Sequence, residues 1–288
     1  MKKIFTLVIV SLLLGNAFAQ PKKDKKLQKK IESLIEGFQG DIGVYVKDIH
    51  RNKIVAINAD SIFPTASMVK IPILIGVMDK IEKGELKYHD ELIYKDSLLY
   101  EGVDILGSFK TGEKIELGKV MMLMLTMSDN TASLWLQSLA GTGTRINELL
   151  DSMGFRKTRV NSRTPGRESY RTIYGWGQTT PNEMTELLAK IYRLEVVSPK
   201  ASTRMMRLLG RNYWDEQALS EIPPTKQVFS KNGAVNGSRS EVVLVNSHKS
   251  PYVFCISTKN NKDESWRPDN EAWQLTRKIS ALLWNHFN

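Results

Sequence analysis

Ser67 and Lys70 stand three residues apart in Phe63-Pro64-Thr65-Ala66-Ser67-Met68-Val69-Lys70-Ile71-Pro72, at the head of an apolar run. On a helix that spacing is just under one turn, so hydroxyl and amine share a face, with Ser67 in the first turn. An alcohol is a poor nucleophile at neutral pH and needs a base. A lysine amine serves only where burial or nearby cations make it deprotonable. The positive end of a helix also favours negative charge on the serine oxygen. S-x-x-K arises roughly once by chance in a chain of this length, so an exposed serine beside a solvated lysine is the competing reading.

Two further stretches bear on that choice. Ser128-Asp129-Asn130 falls in the break between two apolar helices, where a hydroxyl and an amide can project into a cleft. Asp129 alone reads as a cap for the helix starting at Thr131. Lys231-Asn232-Gly233-Ala234 lies on an expected strand, where Gly233 allows close backbone approach by a ligand. Taken alone, Lys231 is a solvated strand lysine. A histidine base is disfavoured: His50, His89, His248 and His286 sit in turns or at the C-terminus, and no G-x-S-x-G surrounds a serine. There is no H-E-x-x-H or Cys/His cluster, so neither a metal nor a cofactor is expected.

The elements that must position these residues are legible from periodicity. Leu27, Ile31, Leu34, Ile35 and Phe38 recur at helical spacing, ended by Gly40. Ile42 to Ile49 and Lys53 to Asn58 read as an antiparallel hairpin. The Ser67 helix runs to about Lys83, stopped by Gly84. Lys119 to Met127 is apolar on every side and is expected as a fully buried central helix. Helices follow at Thr131 to Leu139, Arg145 to Met153, Asn182 to Tyr192 and Lys200 to Leu209. Gly154 to Pro181 is a long ordered loop, a kind that is usually functional. Val228 to Ser230, Glu241 to Val245 and Tyr252 to Thr258 are strands, and a closing amphipathic helix runs from Ala272 to Phe287. The expected fold class is α+β: an antiparallel sheet built from both ends of the chain and flanked by the terminal helices, plus a helical lobe. The sheet lobe covers about residues 31–62 and 212–288, and the helical lobe about 63–211.

Composition bounds the setting. The chain has 288 residues, 41% hydrophobic and 25% charged, which suits a globular protein with a sizeable core. Residues 1–19 read as a signal peptide: Lys2 and Lys3, an apolar run from Ile4 to Leu14 too short to span a bilayer comfortably, then Ala17-Phe18-Ala19. Cleavage before Gln20 yields an exported, periplasmic protein with no stable membrane insertion. The net charge is +10, and Lys22, Lys23, Lys25, Lys26, Lys29 and Lys30 crowd residues 20–30, read as a solvated basic leader. That cluster lacks interleaved aromatics, so no nucleic-acid partner is expected. Cys255, the single cysteine, sits in a buried-strand pattern and reads as an inert core thiol.

In order and together, Ser67-x-x-Lys70, Ser128-Asp129-Asn130 and Lys231-Asn232-Gly233 resemble the S-x-x-K, S-D-N and K-T-G set of the class A β-lactamases and penicillin-binding proteins. Phe63-Pro64, Thr179-Thr180-Pro181 and Gly237-Ser238-Arg239 extend the likeness, which covers the chain from about Lys30. The resemblance implies that Ser67 attacks the carbonyl of a β-lactam or acyl-D-alanyl peptide to form an acyl-enzyme, with Lys70 taking or relaying its proton. It implies that Ser128 protonates the departing nitrogen and that Asn130 holds the ligand's side-chain amide. The N–H groups of Ser67 and Ala234 would form an oxyanion hole, worth roughly 3 to 4 kcal/mol per donor. Lys231 and Arg239 would attract the substrate carboxylate, although Arg239 also reads as a surface strand arginine. Asn232 replaces the family's threonine, exchanging a hydroxyl for an amide. In the long loop, Thr164 falls at the family's glutamate position and Glu168 at its asparagine position. Glu168 either aims the deacylating water or is a solvated loop carboxylate. The implied function is a β-lactamase acting as a monomer without cofactor. The alternatives are a peptidase or esterase of the same fold, or a penicillin or cell-wall-peptide binder without turnover.

Overall fold

The computed structural model describes residues 20–102 and 105–288. The signal-peptide reading of residues 1–19 therefore lies outside the described residues. Two consecutive residues, Lys22–Lys23, form β1, and Asp24 then caps α1 (Lys25–Ile35) by accepting from the Leu27 N–H at 3.0 Å. Leu27 and Ile31 bury one face of α1 while the lysines stay outside. The basic stretch read as a solvated leader is folded into β1 and α1, with its lysines exposed. Its strand pairs in parallel with β3, Lys22 opposite Lys53, a contact with no local sequence signal.

The hairpin β2 (Asp41–Asp48) and β3 (Lys53–Ile57) forms as its alternation predicts. It joins β9 (Val228–Val235), β10 (Ser238–Val245) and β11 (Tyr252–Lys259) in a sheet of order β1-β3-β2-β11-β10-β9. Strand β10 is buried along its whole length because both faces are covered. Val242 and Leu244 face the helical lobe, whereas Val243 and Val245 pack with Leu27 and Ile31 of α1 and Leu275, Ile279 and Leu283 of α9 (Glu271–Phe287). Cys255 lies within this sheet, and burial pushes its thiol up to about 12.

Short strands β4 (Phe63–Pro64), β7 (Arg159–Val160) and β8 (Gly177–Thr179) form a second sheet of order β4-β8-β7, and β5 (Glu91–Ile93) pairs with β6 (Lys114–Glu116). The helical lobe contains α2 (Lys70–Glu82), α3 (Leu117–Met122), α4 (Asn130–Leu139), α5 (Thr142–Ser152), α7 (Pro181–Tyr192) and α8 (Pro199–Leu209). The helix buried on all sides is α2, whose residues from Lys70 to Asp79 are all in the interior. The 119–127 run differs from expectation: α3 ends at Met122, Lys119 and Met122 face outward, and a π-helical turn occupies Leu123–Met127. The loop from Gly154 to Pro181 is ordered by β7, β8 and the short helix α6 (Glu168–Tyr174).

Candidate active site

The nucleophile candidate does not sit in an α-helix. A 3₁₀ turn, Ala66–Val69, precedes α2, so Ser67 projects from a tight turn at the mouth of a cleft and Lys70 starts the helix behind it. Ala66 adopts φ +43°, an uncommon conformation for a residue with a side chain. Two backbones pack against this turn where only glycine fits. A Cβ on Gly233 of β9 would strike the Thr65 carbonyl and stand 2.8 Å from the Ser67 nitrogen; one on Gly177 of β8 would lie 2.7 Å from Thr65 Oγ1. The Thr65 N–H also donates to the Gly177 carbonyl at 2.9 Å.

The π-helical turn delivers the second motif. Widening of the helix at Leu123–Met127 ends with Ser128 in the left-handed region, φ +61°, which turns its hydroxyl back toward α2. The turn is held from outside by Trp214, whose indole donates to the Met127 carbonyl at 3.0 Å. Asp129 is the cap that its position suggests, accepting from the Ala132 N–H at 2.7 Å with one oxygen and from the Leu106 N–H at 2.9 Å with the other. Beside it, Thr131 Oγ1 accepts from the Tyr100 N–H at 3.0 Å.

Lys70 Nζ sits where these pieces meet. It is fully buried, 3.0 Å from Ser67 Oγ, 3.0 Å from Ser128 Oγ and 2.8 Å from Asn130 Oδ1, and it bonds the Ser128 carbonyl as well. The carbonyl and the amide oxygen can only accept, so they take two N–H bonds. The third valence of the nitrogen then faces the two hydroxyls. In the amine form it is a lone pair positioned to take the Ser67 proton and return one by way of Ser128.

Lys231 is also fully buried, on the face of β9 toward the helical lobe, and its ammonium donates to the Asn232 carbonyl and to Asn232 Oδ1, each at 3.0 Å. The amide that stands in place of a threonine hydroxyl therefore binds its own neighbour. Burial brings Lys231 down to about 7, with Glu241 opposing the shift. On the opposite sheet face, burial raises Glu241 to about 7; one of its oxygens accepts from the Ala218 N–H at 3.0 Å. The folded Glu241 holds its proton more tightly than the unfolded one, so its contribution to stability is full below the ordinary carboxylate range and is lost as pH rises to about 7. Glu241→Gln is expected to remove that loss, worth on the order of 3 kcal/mol, so the variant gains on the parent between pH 4.5 and 7. Melting temperatures across that range measure it.

Arg239 is not in the cleft. It pairs with Ala234 across β10 and β9 on the face turned to α9, only 1% exposed. Its guanidinium lies between the rings of Trp266 and Trp273, 4.6 and 4.7 Å from their centroids, and donates to the carbonyls of Val235, Ser238 and Ser265. The Gly-Ser-Arg context pointed to a carboxylate receptor; strand parity makes the residue part of the fold instead.

Glu168 opens α6 on the outer surface of the loop, where its carboxylate accepts from the Gly166 N–H at 3.1 Å. It borders a shallow depression with Asn161, Arg163, Thr164 and Arg171 and does not line the cleft. Thr164 points inward, bonded to the Ser162 carbonyl and filling the space above Gly143. Of the two readings open for Glu168, this placement fits the solvated loop carboxylate, carried on a seven-residue helix that loop-like sequence does not announce.

The cleft has a volume of about 590 Å³. Ser67, Asn130 and Ala234 line it with Tyr100 and Trp176, whose rings meet edge to face at 5.0 Å, and with Lys259, Asn260 and Glu264 at the end of β11 and beyond. These last three had no sequence signal, since nothing local marks a strand end as facing a site.

The fold is that of the β-lactamases and penicillin-binding proteins, with Ser67, Lys70, Ser128 and Asn130 clustered at its cleft. The chain belongs to the β-lactamase enzyme family, whose model matches residues 26–287. It is 22% identical to β-lactamase VEB-1 of Pseudomonas aeruginosa, over 99% of this chain and 98% of that one, and 24% identical to β-lactamase SME-1 of Serratia marcescens, over 88% of each. Among solved structures it resembles PBP-A, with a TM-score of 0.82 at 21% identity, covering 93% of this chain and 98% of that one. A mutant of PBP-A described as an acyl-enzyme complex with penicillin G superposes with a TM-score of 0.81 at 21% identity, over the same shares. Among the described residues no helix is long and apolar enough to cross a membrane.

Proposed function

We propose that this protein is an exported serine acyl-transfer enzyme that forms an acyl-enzyme on Ser67 with β-lactams or acyl-D-alanyl peptides and releases the acyl group slowly. Acylation is carried by one observation: Lys70 Nζ at 3.0 Å from both Ser67 Oγ and Ser128 Oγ, with its other donors committed to fixed acceptors. Lys70 takes the Ser67 proton as the Oγ–carbonyl bond forms. Ser128 passes a proton to the departing nitrogen, and the N–H groups of Ser67 and Ala234 hold the oxyanion. Asn130 offers its amide to the ligand from the cleft wall.

Slow release is supported by the placement of the carboxylates among the described residues, none of which stands at the family's glutamate position. Glu168 is on the outer surface, and Glu264 is the one acidic residue lining the cleft among the described residues. The reading places the protein with penicillin binders of this fold, consistent with its likeness to PBP-A. A turnover β-lactamase is the second reading, favoured by the curated relatives, which carry that name.

Mass spectrometry after penicillin treatment, beside a chromogenic cephalosporin assay, separates them. A lasting adduct on Ser67 with little hydrolysis is expected; rapid hydrolysis with no trapped adduct supports the second reading. Glu168→Gln is expected to leave the adduct's lifetime within about twofold of the parent, whereas marked prolongation would return Glu168 to the chemistry.

A further inference from the structure

Neither cation that the motifs offered for a substrate carboxylate lines the cleft. Lys231 is buried with its ammonium on Asn232, and Arg239 lies on the far sheet face between two tryptophans. Among the described residues, the charge that lines the cleft comes instead from Lys259 and Glu264. Lys259 is two residues beyond Ser257, which lies opposite Ser240, which in turn lies opposite Gly233, so its side chain shares the sheet face that meets the nucleophile turn. Its ammonium is half-buried, donates to the Ile62 carbonyl at 3.0 Å and stands 5.2 Å from the centre of the Phe63 ring. That leaves two of its three N–H donors for a ligand. Glu264 is exposed on the adjoining rim, beside Gly237 at the β9–β10 turn, and forms no ion pair with Lys259.

We propose that Lys259 and Glu264 form a subsite for a zwitterionic amino-acid terminus, with Lys259 taking the carboxylate and Glu264 the ammonium of a ligand whose reactive carbonyl sits at Ser67. A cation and an anion at one end of a cleft, not satisfied by each other, complement a group carrying both charges better than either charge alone. The polar rim of Asn260 adds hydrogen-bonding capacity at the same end. The substrate class is therefore a peptide or peptide-like acyl donor with a free amino-acid end on one branch. This subsite rests on the reading of Ser67 as the acylated residue, so its test is made independent of acylation.

Binding is measured by calorimetry in the Ser67→Ala protein, using two β-lactams that share a ring nucleus: one side chain ends in an α-amino acid, the other in an uncharged ring. The zwitterionic compound is expected to bind about fivefold more tightly, as for a partly exposed charge contact. That ratio is expected to fall toward one in Lys259→Met and in Glu264→Gln, each in the Ser67→Ala background, with Lys259→Gln as the second choice if the methionine variant folds poorly. Equal binding of the two compounds, or a preference that survives both substitutions, overturns the subsite. A preference that behaves as expected while the parent forms no adduct on position 67 supports the subsite and sinks the acyl-enzyme reading.

Discussion

Lys70→Met is expected to slow acylation of Ser67 by about 10³-fold, within the range that general-base catalysis supplies. The argument is one of valence. Asn130 Oδ1 and the Ser128 carbonyl hold two of the amine's positions, and the remaining one faces the hydroxyls of Ser67 and Ser128. Methionine fills the space with no proton acceptor of comparable basicity, and it leaves those oxygens without their donor. Folding must therefore be checked alongside, since the amide and carbonyl lose bonds worth roughly 1 to 3 kcal/mol each when buried partners go missing. Stopped-flow or timed mass spectrometry of adduct formation gives the rate. A fall of less than tenfold in a folded variant would mean that another group accepts the proton.

Gly233→Ala is expected to cost about as much at the site as removing an oxyanion donor. A methyl group there strikes the Thr65 carbonyl and crowds the Ser67 nitrogen, both backbone atoms of a turn that cannot swing aside. Strand β9 has to move off the nucleophile by a substantial part of an ångström. Displacement on that scale costs about 10²-fold in rate, and overpacking of this kind costs roughly 1 to 3 kcal/mol of stability. The expected signature is a Tm lower by about 3 to 10 °C together with slowed acylation. A variant with a lowered Tm and an unchanged acylation rate would show that the Ala234 N–H contributes little. The same substitution at Gly84, where nothing lies within 4 Å but φ is positive, is the comparison that separates backbone strain from collision.

The parts of this molecule that could be read from sequence are those set by local rules. The hairpin at Asp41–Asp48 and Lys53–Ile57 and the helices after Asn130 and Pro181 follow from periodicity and caps, whereas the clustering of Ser67, Lys70, Ser128 and Asn130 is what the motif set's resemblance to a known family implies. What could not be read depends on which face a residue presents to distant chain. Arg239 and Ser240 are adjacent, and only the packing of β10 between two layers puts the first under α9 and the second against Pro64. Glu168 is aimed by a short helix that loop-like sequence does not announce. The π-helical turn at Leu123–Met127 looks in sequence like more helix, yet its widening sets the direction of Ser128. Lys259 is ordinary in sequence and gains its place in the cleft only because β11 ends there.

The carboxylate of Asp129 ties two neighbours at once: it secures the start of α4 and also grips the backbone at Leu106, while Thr131 in the same first turn grips the backbone at Tyr100. One wall of the cleft is thereby riveted to the very turn that carries Ser128 and Asn130. Mechanically, that side cannot gape to admit a bulky ligand without also dragging the proton-handling groups out of alignment, so accommodation of large substrates has to come from other parts of the rim, such as the end of α6, where Ile173 stands exposed.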